Sequence, residues 1–447
     1  MLAPGPRPFF SFANYLRMRR DITGFFAEVH RQFGDVVSFK VGPRRIWLLS
    51  HPDVIRDVLV TRADNFTKGP ALKMAKITLG EGLLTSEGDF HKRQRRMIQP
   101  AFHARRVAEY ADTIVKFGER AADSFRTGQP FDVRDAMTRV TLEIVAKALF
   151  DAEIAEEVDE IGHAMDITVR MFDRSRTPLA PLLNLLPLPS NFRFLSARNR
   201  VFATLDRMIA DRRARPDEER RDFLSILLRA RDESAEGDGS GMDDEQVRFE
   251  AMTLFSAGHE TTANALVWTW LLLAQNPEAQ AKLHGELDRV LAGRTPTATD
   301  AEALPYTRAV IAESMRLYPP AWVLGRANVG EYPVPGTDYT IPPENVILMS
   351  QHLVHRDPRW WPRAESFDPG RWLAGDDATR PRYAYFPFGG GPRQCVGESL
   401  AWLEGILLLA TFARRWRLER ADEAPIRLHP TITLRPRDPL MMRAVKR

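Results

Sequence analysis

Apolar residues recur at threes and fours along most of this chain, the spacing that gathers them on one face of a helix. The pattern predicts helices over residues 90–97, 107–126, 133–150, 202–213, 223–231, 245–275, 277–292, 305–317 and 398–415. Strand-like runs are fewer and shorter. They predict a hairpin from 34–39 with 45–49, a buried strand at 345–349, and a terminal hairpin from 426–434 with 440–445 turned by Arg437, Asp438 and Pro439. The fold class expected is therefore mainly α with small β-sheets. Two stretches lack a period. Residues 178–190 (PLAPLLNLLPLPS) are apolar but broken by proline, so they cannot form one helix and are expected to cover something apolar. Residues 332–372 are rich in Pro, Gly, Asp and Trp, a long irregular connection of the kind that persists for function. Residues 232–244 (DESAEGDGSGMDD) read as a solvated loop, and with no internal repeat a single domain over 1–447 is expected.

Composition narrows the function classes. Hydrophobic residues make up 44% of the 447 and charged residues 27%, ordinary globular values that exclude disorder and a membrane bundle. Lys+Arg 63 against Asp+Glu 59 leaves +4, too thin a surplus to suggest nucleic-acid binding. The lone cysteine, Cys395, excludes internal disulfides, thiolate zinc sites and iron–sulfur clusters, each of which needs several thiols. No run reaches the ~18–20 apolar residues of a membrane span. Prolines 4, 6 and 8 interrupt the start, which lacks the apolar core of a secretory signal, so a cytoplasmic protein is expected.

Chemistry concentrates in three places. Phe386 to Ala401 reads FPFGGGPRQCVGESLA: glycines 389 to 391 permit tight backbone turns, and Cys395 precedes a predicted helix whose N–H groups favour a thiolate, with Arg393 two residues away. The bland alternative is a buried cysteine acting as a small hydrophobe. Within 245–275 lies Ala257-Gly258-His259-Glu260-Thr261-Thr262. Ala257, Gly258, Thr261, Thr262 and Ala265 fall at helical spacing as a small-residue stripe against which a flat ligand could lie. Helix-interior threonines otherwise bond back to the preceding turn. Glu313 and Arg316 at i, i+3 make a pair that in isolation is a surface salt bridge.

Phe388, Gly391, Arg393, Cys395 and Gly397 reproduce F-x-x-G-x-R-x-C-x-G, and on this motif the chain resembles the cytochromes P450. The resemblance runs from the proline-rich start to the terminal hairpin, with the main motifs in the family's order. It implies the P450 fold, with haem between the long central helix and the cysteine loop, and Cys395 as the axial thiolate of the iron of haem b. Phe388 would pack near the sulfur, Gly389 and Gly397 belong to the loop around it, and Arg393 would pair with a haem propionate. His91 and Arg95 resemble the family's [WH]-x-x-x-R, and Arg326 matches a further propionate arginine, giving four cationic donors in all. Glu260 and Thr261 match the oxygen-activation motif [AG]-G-x-[DE]-T-[TS]: Thr261 would hydrogen-bond bound dioxygen and Glu260 would route protons to it. His259 is read as a packing residue. Glu313 and Arg316 match E-x-x-R, and Arg371 in Phe367-Asp-Pro-Gly-Arg-Trp would complete a buried network. Gly370 stands where the family commonly carries an acid.

The resemblance implies a monooxygenase that hydroxylates or epoxidises a small apolar substrate of terpenoid, fatty acyl or polyketide type. Pocket walls are expected from 72–84, 171–172, 178–188, Leu254, Ala257, 322–324 and the turn near Leu440. Electrons would come from NAD(P)H through external partners, a ferredoxin and its reductase, docking on the basic cluster Lys92, Arg93, Arg96, Arg105 and Arg106 of a monomer. Lys92, Arg93 and Arg96 can equally be a solvated face. Three other readings stay open: a peroxide-driven peroxygenase, a non-catalytic haem-thiolate sensor, and a cysteine-nucleophile hydrolase.

Overall fold

The strongest helical periodicity becomes the long helix Asp244–Gln275, roughly 48 Å at ~1.5 Å per residue. Asp243 caps it, its carboxylate accepting the Gln246 N–H at 2.8 Å. Every residue from Ala263 to Leu273 is buried, so this half runs through the interior. The structure, a computed structural model, describes residues 2–7, 12–151, 186, 188–215, 218, 220, 222–234, 237, 239–375 and 379–447. Val133–Phe150 packs along the long helix, and Gly258 permits the approach: a Cβ there would stand 3.1 Å from Val145 Cγ2. Thr141 Oγ1 donates across the same contact to the His259 carbonyl at 3.1 Å.

Most predicted helices form: Gly88–Ile98, Val133–Phe150, Phe223–Arg229, Pro277–Leu291, Pro305–Leu317 and Glu398–Ala413. The run 107–126 is two helices, Ala104–Glu109 and Ala111–Ser124, because the Tyr110 N–H bonds to Val107 O in a tighter i→i−3 turn. The prediction over 202–213 is the second half of Pro189–Ala214. Ala13–Arg20, Ile22–Phe33 and Pro70–Leu79 were not anticipated. The expectation for 178–190 lies largely outside the described residues. Residues 232–244 are not a free loop, since Asp232 is buried and receives the Arg96 guanidinium at 3.2 and 2.8 Å.

A five-stranded sheet runs Val36–Val41, Arg44–Leu49, Val346–Met349, Leu324–Asn328, Phe66–Lys68, antiparallel except where Arg44–Leu49 pairs with Val346–Met349. The predicted first hairpin and buried strand are both in it. The predicted terminal hairpin is not. Met441–Lys446 pairs instead with Trp416–Arg420 and Pro130–Asp132, while Leu428–Pro430 turns back on Leu434–Pro436. Alternating strands fit any partner of matching face, and Thr431 closes the nearer turn by bonding its N–H to Thr433 O at 3.0 Å.

Below this sheet the irregular region 350–372 is tied to Pro305–Leu317 by charge. Glu313, fully buried, accepts Arg316 Nε and Nη2 at 2.9 Å, Arg371 Nε at 3.0 Å, Trp372 Nε1 at 2.9 Å and the Asp368 N–H at 3.0 Å. Arg316 also donates to the carbonyls of His355, Ala364 and Ser366. The predicted network thus exists, and Gly370 takes no part in it beyond bonding its N–H to Asp368. Glu313→Ala would leave two buried guanidiniums without their carboxylate, a loss of about 3–5 kcal/mol. Against a total stability of ~5–15 kcal/mol, the variant should melt far below the parent and accumulate poorly; unchanged melting would contradict the network's role.

Candidate active site

The cysteine loop is a tight return. Cys395 N bonds to Phe388 O at 3.0 Å and Gly389 N to Phe386 O at 2.9 Å. Gly391 has φ +67° and its Cβ would fall 1.9 Å from Leu59 O, so no other residue fits there. Phe388 packs on Trp402, ring centroids 5.9 Å apart. The Cys395 side chain has exposed surface although the loop lies deep in the protein, so it faces a cleft. Burial pushes its thiol up to about 11, with Glu398 adding to the rise and the Gly397 N–H and Arg95 opposing it. The helix and Arg393 do not by themselves favour a thiolate: the helix begins with an acid, and Arg393 pairs with Glu87 and donates to Phe66 O. A metal would have to draw the proton off.

Cations gather beside the loop. Arg95 Nη1 donates to Gln394 O at 2.7 Å, joining the Gly88–Ile98 helix to the loop. His91 is buried, and its pKa falls to about 3 through burial first and then the charges of Lys68, Arg393, Arg95 and Arg326. It offers an N–H but no charge, so the four expected cations are three arginines and a neutral ring. Lys68, which sequence patterning missed, takes the fourth place. It is buried on the strand Phe66–Lys68, its Nζ donating to Leu83 O and Ser86 O at 2.8 and 2.6 Å, and burial lowers it to about 7. The cluster's acids are Glu87, paired with Arg393, and Glu250, raised to about 8 chiefly by burial. Arg326, also buried, makes one hydrogen bond among the described residues, to its neighbour Gly325 O at 3.0 Å. A buried guanidinium with most of its five donors unspent, inside a positive surplus, is suited to an anionic group.

The polar turn of the long helix splits into faces. Ala257 is exposed and Thr261 partly so in a helix otherwise buried around them, so these two border open space. Gly258 faces Val145 while Thr262 and Ala265 are buried, so the small-residue stripe is two contacts and not one platform. Thr261 Oγ1 donates to Ala257 O at 2.8 Å, the back-bonded arrangement, which leaves its oxygen free to accept. His259 is buried against Phe255, ring centroids 5.6 Å apart, as read. Glu260 points to the C-terminal hairpin, accepting from Thr433 Oγ1 at 2.8 Å.

The family model for cytochrome P450 matches residues 3–443. The chain belongs to the cytochrome P450 family. It is 40% identical to cyclooctatin synthase of Streptomyces melanosporofaciens over 97% of this chain and 93% of that one, and 32% identical to pentalenene oxygenase of Streptomyces avermitilis over 95% and 92%. The crystal structure of the cytochrome P450DA heme domain superposes with a TM-score of 0.89 at 24% identity, covering 100% of this chain and 98% of that one, a likeness of fold. P450 chains bind haem, and the residues here fit it: a thiol facing a cleft, an uncompensated buried guanidinium, and a helix wall of Ala257 and Thr261.

Other expectations for this P450 change. Leu254, Trp322 and Leu440 are buried in the core and do not line open space, and 171–172 lie outside the described residues. Among the described residues no helix is long and apolar enough to cross a membrane. The basic cluster is largely engaged: Arg93 donates to Ser240 and Gly241, Arg96 to Asp232, Arg106 to Glu109 and Lys92 to Asp89. Arg105 has no ion pair among the described residues and lines a cavity of about 760 Å³ with Arg220, Arg229 and Arg231. Phe102 connects this region to the cysteine loop, since a Cβ on Gly397 would lie 3.7 Å from its ring.

The helix behind Cys395 holds one costly group. Glu404 is buried, its Oε1 lacks a hydrogen-bond partner, and burial raises its carboxyl to about 8. The fold therefore favours the protonated form, so the native state loses stability relative to the unfolded chain as pH rises from the ordinary carboxyl range through 8. Glu404→Gln should melt close to the parent at pH 5 and above it at pH 8, a gap on the order of a few kcal/mol. A gap that does not change with pH would contradict this assignment.

Proposed function

We propose that this P450 oxidises an apolar, terpenoid-type molecule, by hydroxylation or epoxidation, with Cys395 as the iron ligand. The observation that carries the reading is the exposed Cys395 thiol on a loop that Arg95 ties, by its bond to Gln394 O, to a cluster of cations with Arg326, Arg393 and Lys68. When bound, haem supplies the activation of dioxygen. Arg95, Arg326, Arg393 and Lys68 would offset the two propionates, with His91 donating an N–H, while Phe388, Gly389 and Gly397 wall the sulfur. Thr261, with its own proton committed to Ala257 O, accepts a hydrogen bond at the cleft, and Glu260 next to it exchanges protons with water. An enzyme driven by peroxide has no use for such an acid–alcohol pair. The substrate class rests on the names of two relatives, cyclooctatin synthase and pentalenene oxygenase. The test is spectral. The reduced protein under carbon monoxide should show the strongly red-shifted Soret band of thiolate ligation, and Cys395→His should lose it; a histidine-type spectrum in the haem-loaded parent would sink the assignment.

Electrons would travel from NAD(P)H through a separate reductase and an acidic ferredoxin. The docking surface favoured is the arginine-lined cavity at the C-terminal end of the helix carrying His91, and not the Arg93 side of that helix, because Arg93 already holds Ser240 and Gly241 and Arg96 holds Asp232. Arg105, Arg229 and Arg231 form no ion pairs among the described residues, and Phe102, two residues beyond the lining Pro100, lies against Gly397 of the cysteine loop. Exposed charges steer an opposite partner over a screening length of ~10 Å at 0.1 M salt. Arg105→Glu with Arg229→Glu should slow first-electron transfer at low salt and spare substrate binding, the deficit shrinking as salt is added. Parental rates at low ionic strength would place the contact elsewhere.

A further inference from the structure

The acid of the relay is not aimed at its alcohol. Glu260 and Asn264 lie one turn apart on the same face of the long helix, and both reach the hairpin Leu428–Pro430/Leu434–Pro436. Thr433 joins them: its hydroxyl donates to Glu260 Oε1 at 2.8 Å and accepts from Asn264 Nδ2 at 3.1 Å. The buried Asn264 donor thus orients the Thr433 proton toward the carboxylate. Arg435 Nη1 stands 3.9 Å from the same oxygen, beyond hydrogen-bond reach.

We propose that Thr433 is a positioning residue that holds Glu260 against the hairpin, so that the hairpin tip decides when this acid can serve Thr261. The inference rests on the relay reading of Glu260 and Thr261. The tip is residues 431–433. Its two threonines are buried, and Ile432 between them is 41% exposed, so an apolar molecule reaching the tip would meet this side chain. The backbone on either side is fixed, because Trp322 Nε1 donates to Thr431 O at 3.0 Å and Trp268 Nε1 to Leu434 O at 2.9 Å. Of the two hydroxyls beside Ile432, that of Thr431 bonds within the turn to Thr433 O at 3.2 Å, so contact at Ile432 is passed to Glu260 through Thr433. Released only on such contact, the carboxylate rotates toward Thr261, takes a proton from water and hands it on, regaining its charge; without the Thr433 hydroxyl it is free at all times, delivers protons whether or not a substrate is seated, and consumed oxygen leaves as peroxide.

Thr433→Val keeps the shape and removes the hydroxyl; Thr433→Ser restores it. The readouts, on haem-loaded protein, are the carboxylate infrared band assigned by its loss in Glu260→Gln, and the share of consumed reductant released as peroxide. Losing one hydrogen bond corresponds to a factor of roughly three to ten, so the peroxide share in Thr433→Val should rise by about that much, the Glu260 band should shift, and Thr433→Ser should match the parent in both. The inference is overturned if Thr433→Val leaves the band and the partition unchanged, or if Thr433→Ser behaves like Thr433→Val. Glu260→Gln separates the two layers. If it partitions like the parent, the relay reading itself falls; if it releases peroxide while Thr433→Val does not, the relay stands and the role of Thr433 is lost.

Discussion

A surplus of buried positive charge organises this protein. Lys68 comes from an edge strand, Arg326 from the strand beside it, Arg95 from the Gly88–Ile98 helix and Arg393 from the cysteine loop, and all four act on His91. Burying like charges together is costly unless an anion joins them. The sheet, the helix and the loop are thus held by packing and backbone bonds in an arrangement whose electrostatics favour an anionic group. The same requirement explains the thiol. Cys395 sits where burial disfavours its charged form, so its chemistry depends on a bound metal and not on the helix behind it.

The opposite solution operates some residues away in sequence. Glu313, Arg316 and Arg371 are buried around one shared carboxylate, and apart from Arg371 Nη2 the guanidinium nitrogens are spent on that carboxylate or on carbonyls. That network tolerates no ligand. One cluster is closed and structural, the other open and receptive, and the difference lies in how many donors remain free.

Motifs whose members are close in sequence were legible, because helical or loop geometry alone brings them together: Glu313 with Arg316, His91 with Arg95, Phe388 with Cys395. The class of fold was legible for the same reason, since a 32-residue helix carries its own period. What failed required knowledge of partners distant in the chain. Nothing in Phe66-Thr67-Lys68 signals a buried cation, because a three-residue strand has no pattern to read. Spacing placed Arg93 and Arg96 on one helix, yet their capture by Ser240 and Asp232 depends on a loop about 140 residues on. Met441–Lys446 alternates correctly but does not name its neighbour. The downward shift of His91 and the upward shift of the Cys395 thiol follow first from burial, which composition cannot supply.

The two tryptophan anchors of the C-terminal hairpin grip carbonyl oxygens, and the Leu434 N–H is likewise held by Pro320 O at 2.9 Å. Main-chain anchors are indifferent to which side chain the gripped residue carries. Ile432 can consequently be exchanged for a larger, smaller or polar residue while the turn keeps its course, so this one exposed position can vary without rebuilding the scaffold around it.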